Sequence, residues 1–178
     1  MQLLVIRHAI AEDRDEFAES GQPDDQRPLT KDGIRKMKKA AQGLKEIVGQ
    51  IDHLATSPLT RAAQTAEIVG DVLQTGGADV IPALVPDARP EDFVAWSDAH
   101  HEKNVIAIVG HEPHLSSLIM WLVAEHLLKP RAVEVCIIGD RAIVASQARQ
   151  QAVVPHRPSV APDEIGAERC RYPAEEAG

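Results

Sequence analysis

The chain has 178 residues and a mass of 19.3 kDa, the size of one ordinary domain able to bury a core without disulfide staples. Hydrophobic residues make up 44% and charged residues 26%, and no apolar run approaches the ~20 residues a membrane-spanning helix requires, so such a span is excluded. A net charge of −8, from 19 Lys plus Arg against 27 Asp plus Glu, repels polyanions, and 3% aromatic residues offer no stacking platform, which excludes nucleic acid as a partner. The two cysteines, Cys136 and Cys170, lack metal-ligand spacing, and the N-terminus has neither a basic segment nor a small-residue cleavage site. The expectation is a cytoplasmic protein without a signal peptide.

The first element is the apolar run Leu3-Leu4-Val5-Ile6, the pattern of a strand buried on both faces, ending at Arg7-His8. Residues 11–26 are rich in acids and aperiodic and read as a loop. From Thr30, a plausible N-cap, Ile34, Met37, Ala41, Leu44 and Val48 recur at helical spacing, with Lys31, Arg35, Lys36, Lys38 and Lys39 on the other faces. Residues 52–56 read as a second strand, and Ser57-Pro58 opens a helix striped by Ala62, Ala66, Val69 and Leu73 that Gly76-Gly77 stops. A third strand is expected over 79–84 and a helix from Pro90 to about residue 102. The clearest strand is 105–109, ending at Gly110-His111-Glu112-Pro113, and Pro113 suits the first position of a helix reaching about residue 128. A strand pair follows at 133–138 and 142–145.

Alternating strands and helices imply an α/β domain, a three-layer αβα sandwich with a mostly parallel central sheet, spanning residues 1–146. Residues 147–178 form an atypical tail with no assignable element, either a lineage-specific extension or a frameshifted reading of a GC-rich gene. In an open parallel sheet, ligand sites gather at the carboxyl ends of strands. Arg7-His8 and His111 stand at two such ends, and Arg61 lies on the first turn of the helix after Ser57-Pro58. Two guanidiniums and two imidazoles suit a dianion such as a phosphoryl group, and the helix at Pro113 would add its positive end. Opposite unit charges ~4 Å apart interact by roughly 4 kcal/mol at an effective dielectric of 20, so such a cage supplies much of a barrier reduction. Phosphoryl transfer then needs a nucleophile, and a neutral histidine can be one.

The segments Leu4-Val5-Ile6-Arg7-His8-Ala9, Arg27-Pro28-Leu29-Thr30-Lys31-Asp32-Gly33, the run Thr56-Ser57-Pro58-Leu59-Thr60-Arg61 continuing to Ala66, and Val109-Gly110-His111-Glu112-Pro113 resemble the histidine phosphatase superfamily and, more narrowly, the SixA-type phosphohistidine phosphatases. The resemblance covers about residues 1–128. It implies a phosphoglycerate mutase-like fold, His8 as a transiently phosphorylated nucleophile, Arg7 and Arg61 gripping the phosphoryl oxygens, and His111 completing the cage. Arg27 is a further candidate for phosphate or substrate binding. No cofactor and no metal are implied.

Many superfamily members that cleave phosphate esters carry an acid after the third strand, because an alkoxide leaves poorly unless protonated. Here that segment reads Ile81-Pro82-Ala83-Leu84, with Ala83 in the slot. Imidazole leaves phosphorus more readily, which matches a phosphoramidate substrate; Glu112, Asp87 and Glu91 are the substitute donors. The leading expectation is a metal-independent phosphatase acting on a phosphohistidine-containing protein, a phosphotransfer domain or a phosphocarrier. The alternatives are a small-molecule phosphomonoesterase and a non-catalytic phosphoprotein-binding module. A monomer is the default oligomeric state, Cys136 is read as core, and His53, His100, His101, His114 and His126 as helix or surface residues.

Overall fold

A computed structural model describes residues 2–100, 102–126, 134–138 and 143–146. Strand β1 (Gln2–Arg7) has Leu3 to Ile6 buried, as its uninterrupted aliphatic run requires of a central strand. Helix α1 (Arg14–Ala18) and a 3₁₀ turn (Asp24–Gln26) precede α2 (Lys31–Val48), and β2 (His53–Thr56) leads into α3 (Thr60–Leu73). Then come β3 (Asp79–Val80), a 3₁₀ turn (Pro82–Leu84), α4 (Pro90–Asp98), β4 (Val105–Gly110), α5 (His114–His126), β5 (Glu134–Ile138) and β6 (Ile143–Ser146).

The six-stranded sheet has the order β3-β2-β4-β1-β5-β6, all neighbours parallel except the antiparallel β5–β6 pair. Because side chains alternate across a strand, β1 sends Leu4 and Ile6 to one face and Leu3 and Val5 to the other. The first face packs against Met37, Ala41 and Leu44 of α2 and Ala62, Ala66 and Val69 of α3. The second packs against Phe93 of α4 and Leu115, Leu118 and Leu122 of α5. The expected three layers are therefore present. Among the described residues, no helix is long and apolar enough to cross a membrane.

Local chemistry fixes the elements that bear on the site. Thr30 Oγ1 caps α2 by accepting from Gly33 N at 2.9 Å, and both its backbone N–H and its hydroxyl donate to Ile10 O. That brings α2 so close to the segment after β1 that a Cβ on Gly33 would run into the Ile10 carbonyl.

Several expectations are corrected. The 11–26 loop contains α1, capped by Asp13 Oδ1 accepting from Asp15 N and Glu16 N, a local device that leaves no apolar period to read. Helix α3 starts at Thr60 rather than at Pro58, because Ser57 Oγ accepts from Leu59 N and holds the preceding residues in a turn. It stops at Gln74, which takes the left-handed conformation at φ 59°, ahead of the two glycines. The third strand shortens to β3 because Pro82 has no N–H for the ladder. Helix α4 ends at Asp98, and Pro113 stands one residue before α5. The 147–178 tail and the boundary at 146 lie outside the described residues, as do His101 and the side chains of Cys136 and His126.

Candidate active site

Register brings the histidines together. β1 and β4 are parallel neighbours with Arg7 opposite Gly110, so His8 and His111 leave adjacent strand ends. Their ring centroids lie 5.0 Å apart, tilted by 53°. β2 pairs Thr56 with Val109, and Ser57 N donates to Val109 O, which sets Ser57 beside the same carboxyl edge.

His8 is locked at both ends of its residue. Its backbone N–H donates to Gly110 O at 3.0 Å, and ring Nδ1–H donates to Ala9 O at 2.8 Å. That bond places the proton on Nδ1 and leaves Nε2 with a free lone pair. Ala9 N in turn donates to Thr65 Oγ1, which donates to Arg61 O, so the end of β1 is tied to the first turns of α3. Burial pushes the His8 pKa down, the Ala9 carbonyl opposes it, and the charges of Arg61, Arg7 and Arg27 push it further, to about 4. The ring is neutral at pH 7.

His111 is 2% exposed. Burial first, then the charges of His8 and Arg61, hold its pKa down at about 3. Its Nε2 pairs with Ser57 Oγ at 2.9 Å. The Ser57 oxygen also accepts from Leu59 N; in the arrangement where Ser57 donates its proton to His111 Nε2, the His111 proton sits on Nδ1. That Nδ1 is buried without a hydrogen-bond partner.

The arginines are organised by a residue that the sequence reading passed over, Asp24. Arg61, 3% exposed, donates from Nη1 to Asp24 O at 2.8 Å and pairs through Nη2 with Asp24 Oδ2 at 3.2 Å. Arg27, also buried, donates from Nε to Asp24 Oδ1 at 2.8 Å and from Nη1 to Glu12 O at 2.6 Å. The exposed Arg14 reaches the same carboxylate at 3.5 Å. Burial works to raise the Asp24 pKa, but the Arg27 hydrogen bond and the charges of Arg61, Arg27 and Arg14 outweigh it and hold the carboxyl below its ordinary value. With both Nη groups of Arg61 held by Asp24, its Nε remains buried and unpaired.

These groups line a cleft of about 580 Å³ that takes in Arg7, His8, Arg14, Arg27, Arg61 and His111, and among its lining residues one carboxylate, Glu112. Arg7 is exposed. Thus the structure brings together all four residues singled out at the strand ends and on α3, together with Arg27, and adds Ser57, Asp24 and Arg14. An unpaired buried donor costs about 1–3 kcal/mol. Arg61 Nε and, when it carries the proton, His111 Nδ1 are two such groups, and an acceptor-rich ligand would suit them.

The candidate donors fare differently. Glu112 Oε2 accepts from Ser116 N at 3.3 Å and Ser116 Oγ at 2.7 Å, so its carboxylate caps α5. With Leu115 N and Ser117 N also donating to His111 O and Pro113 O, the free positive helix end expected there is largely taken up by the chain itself. Asp87 and Glu91 lie outside the cleft lining. Ala83 offers its carbonyl to His114 Nε2 at 3.1 Å, and His114, at the start of α5, is buried. The sequence signal for Asp24 is its position three residues before Arg27, on one turn, but the surrounding acids hide it. Ser57 is signalled only by following a strand.

Residues 3–84 match the histidine phosphatase superfamily (branch 1). Over 128 residues the chain is 33% identical to the phosphohistidine phosphatase SixA of Escherichia coli K12, covering 70% of this chain and 73% of that protein. The protein histidine phosphatase SixA complexed with tungstate superposes with a TM-score of 0.57 at 29% identity, over 65% of this chain and 73% of that one. The phosphoglycerate mutase of Plasmodium falciparum, at 14% identity, shares the fold alone, with a TM-score of 0.52 over 92% of this chain and 98% of its own. A paired-histidine cleft at the carboxyl edge of such a sheet, with these relatives, makes the chain a member of the histidine phosphatase superfamily, of the SixA type.

Proposed function

We propose that the protein is a metal-independent phosphatase that removes phosphoryl groups from histidine of a partner protein, a phosphotransfer domain or phosphocarrier, through a phospho-His8 intermediate. The observation that carries this reading is the Nδ1–H to Ala9 O bond, which leaves a neutral His8 with Nε2 free beside cationic groups. His8 Nε2 attacks phosphorus, the P–N bond to the partner's imidazole breaks, and that imidazole leaves with a proton from solvent. Water then attacks the phosphorus of phospho-His8, and inorganic phosphate and free His8 result. Arg7, Arg61 and His111 take the phosphoryl oxygens, and Arg27 contributes charge from beside Asp24. Preorganised donors of this kind typically supply about 3–4 kcal/mol each to a transition state. The relative SixA supports the substrate class, and a SixA structure complexed with tungstate supports binding of an oxyanion. The acidic, cysteine-poor composition supports a cytoplasmic setting.

The absence of a carboxyl at Ala83 favours a phosphoramidate over an ester. Glu112 favours the second reading, a phosphomonoesterase, since it lines the cleft. The test compares kcat/KM on a phosphohistidine protein and on alkyl phosphate esters, with chelator present. A strong preference for the phosphohistidine protein, undiminished by chelator, is expected. A preference for esters supports the second reading, and binding without turnover of either substrate would leave only a phosphoprotein-binding module.

A further inference from the structure

At the opposite edge of the sheet, three side chains with metal-ligating atoms converge. His53 opens β2, Asp79 opens β3 and His100 follows the end of α4, and one ligating atom from each lies within 4.8 Å of the others. Asp79 pairs in register with Ala55, so it shares a face with His53, two residues along the same strand. The four residue steps from His53 to Ser57 span about 13 Å of strand, and none of the three residues lines the cleft at the carboxyl edge, so the cluster is separate from it.

We propose that His53, Asp79 and His100 form a binding site for a divalent late transition-metal ion, with Zn²⁺ the best match. Two imidazoles, one carboxylate and a water make a four-coordinate set that suits zinc. The cluster also carries the outer support that ligating histidines ordinarily have. His100 Nδ1 donates to Trp96 O at 2.9 Å, which fixes the ring and leaves Nε2 as the ligating atom. The Trp96 indole stacks on His100 at 4.4 Å between centroids, and His100 stacks on His53 at 4.4 Å, so one aromatic wall orients both imidazoles. Asp79 Oδ2 already lies 2.8 Å from His53 Nε2. Ligand atoms around tetrahedral zinc are about 3.3 Å apart, and Asp79, with a side chain 52% exposed, is free to make that adjustment. For His53 Nε2 to ligate the ion, its proton moves to Nδ1 and Asp79 Oδ2 turns from that hydrogen bond to the metal.

The ion would clip β2, β3 and the end of α4 together and keep one water-filled position, a site that does not depend on the catalytic reading. The experiment titrates the full chain with Zn²⁺ alone against a chromophoric chelator and follows thermal unfolding in parallel. One equivalent is expected to bind, with a rise in melting temperature. The paired substitution His53→Ala with His100→Ala should weaken binding at least tenfold and abolish the thermal shift, while phosphatase activity is unchanged. Asp79→Asn, at an exposed position, serves as a second variant should the pair fail to fold, and should weaken binding by a similar factor. His8→Ala with His111→Ala should leave the equivalent in place. Absence of binding, or binding that survives His53→Ala/His100→Ala and Asp79→Asn, or loss only in the His8→Ala/His111→Ala protein, would overturn the proposal.

Discussion

Replacing Asp24 by alanine removes the carboxylate that joins Arg61, Arg27 and Arg14 and leaves the Asp24 backbone carbonyl on Arg61 Nη1. Opposite charges about 3 Å apart interact by about 5 kcal/mol at an effective dielectric of 20. The Asp24 side chain is 41% exposed, so the net value of its contact with exposed Arg14 falls below about 1 kcal/mol. The charge-assisted bonds to buried Arg27 and Arg61 retain more, about 1–2 kcal/mol each after screening, and a stability loss of about 2–4 kcal/mol follows. Catalysis should suffer in proportion to how far Arg61 drifts. A displacement of ~1 Å costs up to about 100-fold, so kcat/KM should drop about 30- to 100-fold in Asp24→Ala. Asp24→Asn, which keeps one acceptor, should lose roughly a third to a half of that in free-energy terms. The assay pairs kcat/KM with the affinity for tungstate or vanadate. One anion amid three cations leaves a local charge of +2, so the oxyanion is attracted even with Asp24 present. If Asp24 positions Arg61, both activity and oxyanion affinity fall. An oxyanion affinity that rises in Asp24→Ala would refute the argument, because the carboxylate would then be a competitor for the arginines.

The histidine environments predict pH behaviour. Both rings have depressed pKa values, so below the unfolded value of 6.5 the unfolded chain binds protons that the folded chain does not. Stability should therefore fall as pH drops from about 6.5 toward about 4 for His8 and about 3 for His111, at up to about 1.4 kcal/mol per unit for each ring; NMR titration giving either ring a pKa near 6.5 would contradict this. Gly33→Ala places a methyl against the Ile10 carbonyl and should cost at least ~1–3 kcal/mol by denaturant unfolding, whereas an exposed helical Gly→Ala would stabilise. Ser57→Ala removes the partner of His111 Nε2 and should lower kcat about tenfold with KM within twofold, the pattern of a group that acts in the transition state; an unchanged kcat would count against the assigned tautomer. Glu112→Gln should leave phosphohistidine hydrolysis within about threefold and weaken α5 by about 0.5–1 kcal/mol through its cap; a large activity loss would instead make Glu112 the proton donor.

What was legible in the sequence follows the range of the interactions. β1 and β4 announce themselves as aliphatic runs, and α2 through the period of Met37, Ala41 and Leu44 with Thr30 at its start. These signals are local, and together with the strand-end rule they were enough to gather His8, His111 and Arg61. The contraction of β3 was hidden because propensity favours Val80-Ile81 as strand, while the missing N–H of Pro82 ends the ladder. Asp24 was illegible for a different reason. Six further acids share residues 12–25, and only the fold shows that Asp24 is the one facing Arg61, 37 positions away. The same holds for His53, Asp79 and His100, whose meeting depends on strand register and on where α4 ends.

The most direct measurement of the central claim is a rapid-quench reaction with a phosphohistidine protein, stopped at alkaline pH to preserve phosphoramidates and mapped by mass spectrometry. The account predicts a phosphoryl group on His8, formed and lost at rates consistent with turnover, and absent in His8→Ala along with the activity. Turnover that proceeds in His8→Ala, or a phosphoryl group trapped on another residue, would contradict it.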